Sequence, residues 1–128
     1  MSYYYAKIVS GDFETVVEKV HAELQKEGFG VLADIDIQAA LKKKLGVDFR
    51  KYRILGACNP PFALKALEAE DKIGIMLPCN VVVQERENGE VEVAIVNPME
   101  AMKPVENDNL VELAGEISRK LQNVMSAL

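Results

Sequence analysis

The residues of this chain best suited to chemistry are two cysteines, each followed by an asparagine and flanked by proline. Cys58-Asn59-Pro60 closes the strand-like run "YRILGAC", and Pro78-Cys79-Asn80 interrupts "IGIMLPCNVVVQE". A thiolate is both a nucleophile and a soft metal ligand, and its pKa falls beside a helix N-terminus. Asn59 suits an N-cap and Pro60 a first helical residue, so "PFALKALEA" is expected to be a short helix whose positive end borders Cys58. Cys58 is therefore the candidate reactive thiol, with Cys79 as its neighbour or resolving partner. Asn59 and Asn80 would pin their loops by side-chain to backbone hydrogen bonds.

The competing expectation is packing, because free cysteine is among the most buried residue types. In a regular strand Cys79 shares a face with Ile75, Leu77, Val81 and Val83, which makes it core filler unless a bulge at Pro78 shifts the parity. A disulfide would need the two Cα atoms within about 7 Å. Two thiolates could hold Cu(I), which accepts few soft ligands. Zinc needs four ligands, and one chain offers two sulfurs and the single histidine, His21. No metal or cofactor is assigned.

Other polar groups have plainer readings. His21 lies on the flank of an apolar helical stripe, without a metal spacing around it. Asp34 and Asp36 share a strand face, explained by a solvated surface and a helix cap. The segment "KKKLGVDFRKYR" from Lys42 to Arg53 has a net charge of +5, leaving −10 for the rest of the chain. It reads as a solvated face, with an anion or partner patch as the alternative. Glycine-rich phosphate loops, nucleophile elbows and protease signatures are missing, so no reaction is assigned.

The whole chain has 128 residues, 49% hydrophobic and 27% charged, and a net charge of −5. That describes one domain, residues 1–128, able to bury its own core. The acidic balance weighs against nucleic-acid binding. No apolar run reaches the roughly 18–20 residues of a membrane span, and "MSYYYAKIV" lacks signal-peptide features. A cytoplasmic location with reduced thiols is expected.

The elements that must position the cysteines follow from periodicity. "YYYAKIV" reads as a strand. Phe13, Val16, Val17, Val20 and Leu24 form one helical stripe, capped by Asp12 and stopped near Gly28. Phe29 to Asp36 alternates as a half-buried strand, and a short helix runs from Ile37 to Leu45 between Asp36 and Gly46. "IGIMLPCNVVVQERENGEVEVAIV" is expected to be two strands joined at Asn88-Gly89, the first an edge strand broken at Pro78. Leu110, Leu113, Ala114, Ile117, Leu121, Val124 and Met125 trace a long C-terminal helix from near Asp108. The order β-α-β-α-β-α-β-β-α predicts an α+β fold whose closing hairpin makes the sheet antiparallel in part, with helices on one face.

With "LGACNPPFALKAL", "IGIMLPCNVVVQE", "GDFETVVEKVHAELQKEGFGVLADIDI" and "VNPMEAM" in place, the chain resembles domain-of-unknown-function family 302 over nearly its whole length. The resemblance implies a TATA-binding-protein-like, helix-grip fold, in which a curved sheet wraps a long C-terminal helix. It also implies that Cys58, Asn59, Pro60, Pro78, Cys79 and Asn80 are the motif residues. It implies no activity.

Two functions follow. One is a thiol, redox or soft-metal site built on the two cysteine motifs. The other is a non-enzymatic module, a homodimer included, whose groove between sheet and C-terminal helix takes a small apolar molecule or partner. Met99, Met102 and Met125 would give that groove an adaptable surface.

Overall fold

Asp12 and Asp36 start their helices as their spacing requires, each carboxylate accepting a hydrogen bond at 2.9 Å from the backbone N–H three residues on. Gly28 and Gly46 follow with positive φ, 85° and 67°, where a side chain would be strained. The computed structural model describes residues 2–128. Its order is β1 (Tyr4–Val9), α1 (Phe13–Lys26), β2 (Gly30–Asp36), α2 (Ile37–Leu45), β3 (Tyr52–Cys58) and α3 (Pro60–Ala69). A 3₁₀ turn at Ile73–Met76 precedes β4 (Cys79–Glu85), β5 (Val91–Val96), α4 (Pro98–Ala101) and α5 (Asn109–Ala127). The expected elements are present, and α4 and the 3₁₀ turn are additions.

The strands form one curved, open sheet in the order β1-β5-β4-β3-β2, antiparallel at every pairing. The fold class is α+β. α1 and the C-terminal part of α5 cover one face. Phe13, Val16, Val17, Val20 and Leu24 of α1 and Leu121, Val124 and Met125 of α5 pack on Leu55, Ala57, Val81, Val83, Val91, Val93 and Ile95. Each fully buried side chain of this kind contributes about 1.5–3 kcal/mol. Lys7 ties the end of α5 to the sheet, its Nζ donating to the carbonyls of Met125 (3.1 Å) and Leu128 (2.8 Å). The Met125 carbonyl also accepts the Leu128 N–H at 3.3 Å, so Lys7 adds a second donor at the helix end.

Three expectations need correction. β4 is a central strand between β3 and β5, not an edge, and it begins only at Cys79. Residues Ile73–Met76 form a 3₁₀ turn, and Pro78, lacking an N–H, stands just outside the ladder after a cis Leu77–Pro78 bond. Ile75 is consequently exposed, while Cys79, Val81 and Val83 do face the helices. Second, β2 carries a register shift between Val31 and Ala33, which sets Asp34 opposite Leu55 and turns Ile35 outward. Asp34 is not merely solvated: Arg53 donates to it with Nε at 2.7 Å and again with a terminal nitrogen. Third, the single apolar stripe of α5 serves two partners. Leu110 and Leu113 pack with Ala66, Ile73 and Leu77, away from the sheet core.

Candidate functional site

β3 ends at Cys58 and β4 starts at Cys79, so the two motifs meet at one end of the sheet. In the ladder Ala57 stands opposite Cys79 and Gly56 opposite Asn80. Cys58 stands one residue beyond Ala57, so the two thiols sit near each other at the sheet end. Both are free, half-buried thiols. Burial pushes the Cys79 thiol up to about 11, and the proximity of Cys58 adds to the shift. At neutral pH Cys79 is therefore a neutral thiol and a poor nucleophile. Among the described residues, no three His, Cys, Asp or Glu side chains converge as a metal site.

The start of α3 also differs from a simple anion-binding helix end. Asn59 occupies the cap position, but its side chain makes no cap bond. It is buried to 7% exposure, and its Nδ2 donates to the Glu27 carbonyl at 3.3 Å, which pins the loop after α1. Pro60 and Pro61 remove two backbone donors, and the Ala63 N–H is spent on the Asn59 carbonyl at 2.9 Å. Of the first four backbone positions of this helix, only Phe62 keeps an N–H outside these constraints, so the pull on a nearby thiolate is weakened.

What the two motifs enclose is a half-open apolar cavity of about 290 Å³ between α3, α5 and the sheet end. Phe29, Phe62, Ala66, Ile73, Leu113 and Ile117 contribute to its walls, and the exposed side chains of Leu32 and Leu67 stand at its lip. Four of the six motif residues line it: Cys58, Asn59, Pro78 and Cys79. Pro60 and Asn80 do not; both are exposed. Pro78 is held on the opposite sheet surface by Gly56, where a Cβ would come within 2.8 Å of the proline Cγ. Only glycine fits there without displacement.

Of the methionines expected to form one adaptable surface, Met102 lines the cavity, Met125 is core, and Met99 is largely exposed beside Gly115. His21 is half-buried on the flank of α1. Three of the six cations in the basic segment from Lys42 to Arg53 have intramolecular polar partners. Lys42 pairs with Asp48, Arg53 with Asp34 and Glu14, and Arg50 lies over the Phe49 ring and donates to Gln84. The wall residues on α3 escaped the sequence reading, which placed the groove between the sheet and the C-terminal helix. Their signal was the spacing of Phe62, Ala63, Ala66 and Leu67, a second apolar stripe in need of a partner.

The family model "Domain of unknown function DUF302" matches residues 5–128. This chain belongs to that family. Its DUF302 fold is also seen in a crystal structure described as an uncharacterized conserved protein DUF302 from Bacillus stearothermophilus. That chain is 30% identical, superimposes with a TM-score of 0.91, and the match covers 99% of this chain and 98% of the other. No match was found among curated proteins. Among the described residues of this DUF302 domain, no helix is long and apolar enough to cross a membrane.

Proposed function

We propose that this DUF302 domain binds a small, largely apolar molecule in the cavity between α3, α5 and the sheet end. The observation that carries the reading is the cavity itself: about 290 Å³ with an almost wholly apolar lining. A dry engineered cavity of about 150 Å³ takes up benzene, so roughly twice that volume admits a body of some eight to ten heavy atoms. In this reading Cys58 and Cys79 are soft, polarizable wall atoms, and Asn59 and Pro78 hold the two strand ends that form the floor. Thiol chemistry is less well supported, because burial keeps Cys79 protonated at neutral pH.

The test is a titration with indole, an uncharged probe of suitable size, followed by amide chemical shifts. Binding should perturb the amides of Phe29, Phe62, Leu113 and their neighbours. It should be abolished in Ala66→Leu and Ala114→Leu, each of which extends a wall residue into the void. Undisturbed spectra with indole at millimolar concentration, or equal binding by both folded variants, would overturn the reading.

A further inference from the structure

The cavity has an uncharged interior, yet its outer wall is approached by two cations. Phe62 on α3 lines the cavity and is half-buried. The Lys65 ammonium lies 5.6 Å from the centre of its ring, and the Lys120 ammonium, reaching across from α5, lies 6.0 Å from it. Among the described residues, neither is within 4.0 Å of a carboxylate, whereas Lys26, Lys42, Arg53, Lys72, Arg86 and Lys103 each have such a partner. A chain with a net charge of −5 thus leaves two of its positive groups unpaired around one aromatic residue of the cavity wall.

Inside, no cation is available: the walls hold hydrocarbon, two thiols, one thioether and one carboxamide. A charge there would lose its hydration without a counter-ion, which costs several kcal/mol. The interior therefore selects an apolar body, and the rim selects the charge of whatever projects from it. A cation at the rim would be repelled by Lys65 and Lys120, and a neutral group would gain nothing from them.

Resting on the binding reading above, we propose that the ligand is an amphipathic anion: an aliphatic or aromatic body of about eight carbons in the cavity, with a carboxylate or similar headgroup at the rim between Lys65 and Lys120. The ring of Phe62 then separates the two environments. Lys65 is exposed and Lys120 half-buried at the surface, so their effect is a modest, salt-screened gain in affinity and not the main source of binding.

Calorimetric titrations with octanoate, 1-octanol and octylamine at low and high salt test this. Octanoate should bind most tightly, roughly threefold to tenfold tighter than 1-octanol at low salt, with the margin shrinking as salt rises. Octylamine should bind most weakly. In the Lys65→Gln/Lys120→Gln double variant, octanoate should fall to the level of 1-octanol while 1-octanol itself is unchanged. Equal affinity for octanoate and 1-octanol in the unmodified protein, or an equal loss of both in the double variant, would overturn the headgroup assignment and leave the cavity reading standing. Failure of all three to bind would overturn the cavity reading as well.

Discussion

Beneath the sheet, α1 and the second half of α5 bring Val16, Leu24 and Leu121 to zero exposure; beside it, α3, the 3₁₀ turn and the first half of α5 bury Ala66, Ile73, Leu110 and Ala114 and leave the cavity open. Both regions draw on the same kinds of apolar residue. The difference lies in what they pack against. Under the sheet, the paired backbone of β3, β4 and β5 presents Leu55, Val81, Val83, Val93 and Ile95 at regular spacing, and the two helix stripes fill the gaps between them. On the other side, the 10 residues of α3 offer alanines at positions 63 and 66 against the alanine at 114 of α5, and a short 3₁₀ turn closes the end. Small residues on both walls let the helices stand side by side without filling the space. A domain can thus make a dense core and a binding void from one composition, according to whether a sheet provides the floor.

The sharpest way to break this comparison is to truncate one leucine in each region. Leu24→Ala should lose about 2–5 kcal/mol in denaturant unfolding, because the void it creates cannot collapse. Leu113→Ala, which only enlarges a void already present, should lose about 1 kcal/mol, the value of partial burial. Equal losses would mean that the two regions are packed alike.

A second, smaller effect lies at the seam, where Cys79 packs on the sheet core and also lines the cavity. Its thiol is raised from 9.0 to about 11 in the folded state, so the unfolded chain gives up this proton first as pH rises. The stabilisation is complete below pH 9 and is lost as pH rises through about 11. Two pH units correspond to roughly 2–3 kcal/mol at most. Unfolding free energies of the native protein and Cys79→Ala should converge across that window. A constant difference between the two curves would show that water reaches the sulfur and that the seam is open.

The smallest effect belongs to a site outside both regions. The Arg53 guanidinium holds the Asp34 carboxyl below the usual carboxylate range, chiefly by its hydrogen bonds. This stabilisation is present above the unfolded pKa of about 3.9 and is lost as pH falls through the lower folded value. The pair is partly solvated, so Asp34→Asn should cost less than about 1 kcal/mol at neutral pH and should flatten the acid limb of the stability profile. A loss as large as that of Leu24→Ala would show that the edge of β2, not the sheet core, dominates stability.

Much of the architecture was legible residue by residue. The stripe from Phe13 to Leu24 is buried as its spacing requires, the caps at Asp12 and Asp36 form, and the Asn88-Gly89 hairpin joins β4 to β5. The candidate site was half legible. The motifs do converge, and four of their residues face one void, but the void's other walls come from α3 and α5, whose relation to the motifs is not written in spacing. The misread strand at Ile73–Met76 has a similar origin: an apolar run beside a proline fits a broken strand or a 3₁₀ turn equally well until the neighbouring strands are in place.

By itself, then, the order of residues determined where α1 and α2 begin and end and which side of α1 turns inward. Those outcomes depend on hydrogen bonds and side-chain periods spanning a turn or two. Tertiary structure alone decided that β4 is central, that the shift near Ala33 reverses the end of β2, and that the stripe of α5 divides between two partners. It alone decided, too, that alanine meets alanine across an unfilled gap. The packing of a volume is a sum over residues far apart in the chain, and no local period records whether that sum closes.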